Sequence, residues 1–227
     1  MTRPSIPLVV WFALLFVRLC CAEPLEYGFL NVANMVPNHP PCEVRIDGKE
    51  LLPGGLKAVS ATGWFMVPQG TYRITLSIQG FESAQGSITV LPRESTLCAI
   101  FLQQIGSPTD RDGKPAPPKI RIKRLPSPKN SNSRVLHVLS LCPAAESFQM
   151  GDKTVALKPL ESIDIPQWSG APWIVMHQQK QIGQCLGAEE KGRYTLLLAS
   201  DHQSTTSALL VRTDAQELPP WMKDDPP

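Results

Sequence analysis

A chain of 227 residues, 42% of them apolar, is long enough to bury one or two cores and too apolar to be disordered throughout. Its formal net charge is only +2, from 22 basic and 20 acidic residues, which gives no ground for nucleic-acid binding through bulk positive charge. The 23 prolines gather in a central stretch and at the C-terminus, as connectors around compact parts would.

Residues 1–22 have the layout of a secretory signal peptide. Arg3 supplies the positive start, Pro7 to Val17 the apolar run, and Cys20-Cys21-Ala22 the small residues ahead of Glu23. Arg18 ends that run after 11 residues, short of the roughly 20 a membrane-spanning helix needs. Arg18 and Leu19 are not the small residues expected before a lipidated Cys20 or Cys21. Cleavage removes two arginines and no acid, leaving a mature chain of zero formal charge that is exported to the periplasm or secreted.

Cys42, Cys98, Cys142 and Cys185 survive cleavage. An even number in an exported chain suggests disulfides, with three possible connectivities. If each module folds on its own, the pairs are Cys42–Cys98 and Cys142–Cys185; the alternative is four buried thiols.

The first module spans residues 23–105. Tyr27 to Val36 reads as an apolar strand, followed by a rigid Pro37 to Pro41 turn. Cys42, Val44 and Ile46 alternate with polar residues, and Asp47-Gly48 is a hairpin signal. Gly63 to Gln79 reads as a β-hairpin: Trp64 to Val67 is apolar, Pro68-Gln69-Gly70 has turn chemistry, and Tyr72, Ile74, Leu76 and Ile78 alternate with polar residues. Ser87 to Val90 is a short strand and Leu97 to Gln103 a buried closing strand. Residues 106–133 hold six prolines and, from Ser107 to Arg134, eight basic against two acidic residues. They read as a Pro-rich basic linker, a solvated spacer or a cationic strip for an anionic envelope surface.

Residues 134–214 repeat the first module in weaker form. Val135 to Leu139 stands where Phe29 to Val32 stood, Phe148 to Lys153 matches Val44 to Lys49, and Leu157-Lys158 matches Leu56-Lys57. Ile165-Pro166-Gln167 matches Val67-Pro68-Gln69, and Arg193 to Ala199 and Ser207 to Arg212 close the module. The fold expected is all-β: two tandem antiparallel, Ig-like β-sandwiches and an acidic, Pro-rich tail over residues 215–227.

The turn and strand motifs resemble those of a bacterial exported β-sandwich family catalogued as a domain of unknown function. The matching residues are Val32-Ala33-Asn34 with Pro37 and Pro40, Val44 to Gly48, and Val67 to Leu76. The PEGA domain is the second resemblance, through V-x-I-D-G-K and the P-x-G-x-Y-x-I stretch. These resemblances imply fold and export, and no catalytic chemistry.

No metal-ligand spacing, cofactor motif, G-x-S-x-G elbow or phosphate loop is present. His39 near Cys42 is half a metal site at best, and His137 reads as a satisfied residue on a sheet face. Ser200, Asp201, His202 and Ser204 are residue types of a hydrolase triad, crowded on one polar loop rather than brought from separate elements. The aromatic residues Trp64, Phe65, Trp168 and Trp173 are the candidate ligand-binding set; Trp64 and Phe65, being adjacent, face opposite sides of a strand. The expected function is a non-enzymatic binding or scaffold protein of the cell envelope, with a protein or glycan partner. The alternative is a secreted hydrolase using His and Asp residues of the second module.

Overall fold

The computed structural model describes residues 26–104, 117–126, 134–166, 168–169, 171–185, 192–201, 205–214 and 216. The expected signal peptide, both ends of the expected linker and all of the tail but Gln216 lie outside the described residues. Those described form seventeen strands and no helix.

The first module comprises β1 (Tyr27–Asn34), β2 (Glu43–Ile46), β3 (Lys49–Glu50), β4 (Ser60–Ala61), β5 (Phe65–Pro68), β6 (Gly70–Ser77), β7 (Ala84–Val90), β8 (Ser95–Gln103) and β9 (Lys119–Pro126). The second comprises β10 (Val135–Ser140), β11 (Glu146–Met150), β12 (Lys153–Leu157), β13 (Ser162–Pro166), β14 (Trp173–His177), β15 (Lys180–Cys185), β16 (Arg193–Ser200) and β17 (Thr206–Arg212). Each module is a sandwich of two sheets. The outer sheets run β3-β2-β6-β7 and β12-β11-β14-β15. The inner sheets run β4-β1-β8-β9, with β5 also on β1, and β13-β10-β16-β17.

Three apolar layers hold the four sheets. In the first module Leu30, Val32 and Ile100 of the inner sheet meet Val44, Ile74 and Leu76 of the outer one. In the second, Leu136, Val138 and Leu196 meet Phe148, Met150 and Val175. The third layer lies between the modules, where Ala33, Met35, Leu97 and Phe101 pack on Leu139, Leu141, Leu197 and Val211. Both inner sheets are therefore covered on both faces. That is why β8 and β16 carry the near-continuous apolar runs LCAIFL and YTLLLA instead of alternating.

The inner sheets are mixed rather than purely antiparallel. Val32 of β1 pairs with Cys98 of β8 in parallel, and Val138 of β10 with Leu196 of β16 likewise. In each module the chain leaves its first inner strand, builds the outer sheet and returns alongside, a connection long enough for parallel pairing.

The expected Gly63–Gln79 hairpin is corrected. β5 pairs with β1 in the inner sheet, whereas β6 pairs with β2 and β7 in the outer one. Pro68 to Gly70 is thus a corner between sheets, tied by the Gln69 N–H to the Glu26 carbonyl at 2.7 Å and by the Tyr72 hydroxyl to the Pro68 carbonyl at 2.6 Å. The inward set on β6 is as expected: Tyr72, Ile74 and Leu76 all reach the first core. The Asp47-Gly48 turn forms with φ of 48° and 78°, both positive as a two-residue hairpin requires.

The expected linker is corrected in its middle. Residues 119–126 are β9, paired with β8 from Thr96↔Pro126 to Gln103↔Lys119. Ile120 is buried and Ile122 packs beside it, while Lys119, Arg121 and Arg124 of this edge strand are exposed.

The expected Cys42–Cys98 bridge is also corrected: both are free, buried thiols in the first core. Cys98 sits on the inner sheet and Cys42 at the start of the outer one, its Sγ turned toward the Glu43 carbonyl at 3.6 Å. A sandwich can carry a bridge between facing sheets, but here both thiols are spent on packing in the core and the Cys42 sulfur turns to the carbonyl of its own neighbour. Cys142 is a free buried thiol too, 3.8 Å from the Leu198 carbonyl; the side chain of Cys185 lies outside the described residues. Burial pushes the thiols of Cys42 and Cys98 up to about 12, so neither offers a thiolate near neutral pH. Non-reducing peptide mapping is therefore expected to recover Cys42 and Cys98 as thiols that alkylate only in denaturant. A Cys42–Cys98 cross-linked peptide would contradict this packing.

Asn34 anchors the end of β1. It is fully buried; its amide donates to the Leu56 carbonyl at 2.9 Å, and its carbonyl oxygen accepts from the Val36 N–H at 3.1 Å. Asn34→Ala strands both backbone groups and is expected to destabilise the protein by about 2–4 kcal/mol in chemical denaturation. A loss below about 1 kcal/mol would mean that water reaches them.

Candidate functional site

The two modules superimpose register by register. Asn34 pairs with Ile100 as Ser140 pairs with Leu198. The next residues, Met35 and Leu141, donate to those partners' carbonyls at 2.8 and 2.7 Å. Asn34 and Ser140 each accept from the backbone N–H two residues on. On this register His137 stands at the place of Asn31, Thr195 at that of Leu97, and Arg193 at that of Ser95. Lys123 of β9 stands where Leu209 stands on β17, and Leu125 where Val211 stands. Phe65 opposes Leu30 as Ile165 opposes Leu136, so Trp64 and Asp164, one residue earlier, also correspond. The repeated Val-Pro-Gln and Ile-Pro-Gln motifs fall on corresponding strands two positions out of register, since Pro68 faces Tyr27 and Pro166 faces Val135.

The inner sheets meet through like strands, so the block has two corresponding flanks. On one, Trp64 packs into the layer that holds Leu209 and Val211, and its indole N–H donates to the Arg212 carbonyl at 3.0 Å. That flank is sealed. On the other, Asp164 replaces the tryptophan and a cleft of about 460 Å³ lies between β9 and the second inner sheet. Lys123, Arg124 and Leu125 line it from β9; His137, Leu139, Leu160, Ser162, Arg193, Thr195 and Thr213 line it from the second module.

Alternation places the chemistry. On β10, Leu136 and Val138 enter the second core, which turns His137 and Leu139 outward. Asp164 pairs with His137 across β13, and its Oδ1 lies 2.6 Å from Nδ1. The same carboxylate accepts from Nη2 of Arg193 at 3.0 and 3.2 Å. The main chain of Arg193 is fixed separately, its N–H donating to Asp214, whose other oxygen accepts from Arg212 Nε at 2.6 Å. Thr195 and Thr213 share a hydrogen bond of 2.9 Å. His137 and Arg193 are thus held in set directions at the cleft wall.

Burial acts to raise the Asp164 carboxyl, but the hydrogen bonds and charges of His137 and Arg193 outweigh it and hold the group below its ordinary 3.8. Among the described residues neither Lys123 nor Arg124 has a carboxylate partner, so the cleft carries surplus positive charge.

The four aromatic candidates do not form one surface. Trp64 and Phe65 do face opposite sides: Trp64 joins the layer between modules and Phe65 packs against the first core. Trp168 is corrected from a ligand-stacking residue to a core residue, 3% exposed and edge-on to Tyr194 at 5.5 Å. Trp173 lies 6.0 Å from Trp168, half-buried, at the position that Tyr72 holds on β6. None of the four lines the cleft.

Of the triad-type residues, Asp201 accepts from the Thr205 N–H at 2.8 Å, while His202 and Ser204 lie outside the described residues. His177 is buried against Phe148 and bonded to Glu146 at 2.8 Å. Among the described residues no group of three His, Cys, Asp or Glu side chains could hold a metal ion. Lys123, Asp164, Arg193 and Thr195 were not singled out from sequence. Aligning the two halves carries their signal, because each replaces a neutral or apolar residue of the other half.

No protein-family model matches the chain, and no curated protein matches it either.

The Asp164 carboxylate, lowered in the folded chain, contributes stability that is fully present above 3.8 and is lost as the pH falls through its folded value. The melting-temperature gap between the wild type and Asp164→Asn is expected to be widest above that pH and to close below it. A pH-independent gap would show that Asp164 is not held by His137 and Arg193.

Proposed function

We propose that this protein is an exported, non-enzymatic binding or scaffold component of the bacterial envelope, with the cleft beside Lys123, His137 and Arg193 as its ligand site. The single observation that carries the reading is the difference between the two flanks: Trp64 seals one, while Asp164, His137 and Arg193 stand in the other. The leader-like residues 1–22 and the likeness of the turn motifs to exported β-sandwich families, or to PEGA domains, support export. The lysines and arginines of β9 support contact with an anionic envelope surface.

One observation favours the rival reading, a hydrolase: His137 and Asp164 are joined as a base and its orienting carboxylate would be. Against it, Asp164 is shared with Arg193, and the threonine hydroxyls of the cleft bond to each other.

Fractionation of expressing cells is expected to place the chain outside the cytoplasm with Glu23 as its first residue, and the purified chain is expected to leave ester, amide and glycoside panels intact. Cytoplasmic retention with Met1 in place would overturn export. Turnover abolished by His137→Ala would establish the hydrolase.

A further inference from the structure

We propose that the cleft binds an amphiphilic anion, a phosphate or carboxylate head on a short apolar body. The inference rests on the binding reading above and adds the chemistry of the ligand. Position by position, the sealed flank shows what this seam needs for packing alone: Asn31, Ser95, Leu97, Leu209 and a tryptophan. At the cleft the same positions hold His137, Arg193, Thr195, Lys123 and Asp164. Packing accounts for none of these changes. Together they remove a bulky plug and bring cations to a wall whose side chains are largely shielded, with 19% of the His137 side chain and 21% of the Arg193 side chain exposed.

The donors are available. Asp164 engages only Nη2 of Arg193 and Nδ1 of His137. Among the described residues the remaining guanidinium nitrogens of Arg193 and the ammonium of Lys123 make no hydrogen bond, so two cationic side chains are open to one head group, while His137 gives its Nδ1–H to Asp164 and holds that carboxylate aside. Asp164 offsets one charge and cannot offset the cations together.

The apolar body has its own wall in Leu125, Leu139 and Leu160. Leu160 is 37% exposed and held at a φ of 61°, a conformation a leucine rarely adopts, with its N–H bonded to the Ser140 carbonyl at 2.9 Å. Val59, its counterpart beside the sealed flank, has a like φ of 51° but packs into the layer between the modules, so the turn sets the conformation and the cleft leaves this leucine exposed for an apolar contact. About 460 Å³ suits a small organic molecule and exceeds what an inorganic ion would fill.

The test is calorimetric titration of the mature chain with hexyl phosphate, hexanoate, inorganic phosphate and hexanol. Hexyl phosphate is expected to bind about tenfold or more tightly than either hexanol or inorganic phosphate. Lys123→Leu, which installs the residue found at the sealed flank, is expected to weaken hexyl phosphate by about tenfold while leaving the thermal melt unchanged. If that variant misfolds, Lys123→Gln reads the same charge. Phosphatidylglycerol vesicles separate two sources of the head group: vesicle binding competed by hexyl phosphate assigns a lipid, and hexyl phosphate binding without vesicle binding assigns a free ligand. If hexanol binds as well as hexyl phosphate, or both Lys123 variants bind normally, the anionic assignment falls and the binding cleft stands. If no probe binds, both fall.

Discussion

The molecule depends on burying both faces of its two inner sheets. A sheet covered on one face only could keep polar residues on the other. Here each inner strand must offer apolar side chains in both directions, so β1, β8, β10 and β16 place leucine, valine, isoleucine, alanine and phenylalanine at successive positions. Polar groups in these strands mostly have partners close by, the buried Thr96 hydroxyl of β8 being an exception. Asn34 answers two backbone groups, Asn31 accepts from the Thr62 hydroxyl at 3.2 Å, and Thr195 pairs with Thr213. Everything outward of this double layer is more ordinary. The outer sheets alternate buried and exposed residues and show water one face.

The same constraint creates the cleft. Face-to-face packing is complete along the middle strands and runs out at the flanks, where an edge strand of one module overhangs the inner sheet of the other. Whatever occupies that overhang must either fill it or line it. Trp64 fills one with an indole whose N–H finds the Arg212 carbonyl. The other is lined by polar groups that hold one another, since a half-buried arginine or histidine without a partner would be costly to place there.

The strands and their repeat were largely legible from residues alone. The inward set on β6, the Asp47-Gly48 turn and the match of Val135 to Leu139 with Phe29 to Val32 follow from periodicity and turn chemistry, both local properties. What failed was long-range. Pro68 to Gly70 has the same composition whether the next strand folds back or crosses to the facing sheet. In Lys119 to Leu125 the basic residues dominate the reading, although Ile120 and Ile122 already mark one face of a strand. The cysteines have disulfide-like number, but whether two thiols meet depends on side-chain direction in the folded core, and Cys42, Cys98 and Cys142 stay free. The cleft was the least legible, because its residues come from β9, β10, β13 and β16 and their meaning appears only beside their counterparts in the other half.

Joining two like halves in one polypeptide has a consequence for stoichiometry. A dimer of identical chains must show every side chain on both flanks, so a lysine that serves one would be imposed on the other and each assembly would hold two sites or none. The covalent tandem is free of that requirement. Leu209 and Lys123 differ while the strands that carry them stay alike. One flank is sealed and the other a cleft, so the binding proposed there saturates at one ligand per chain.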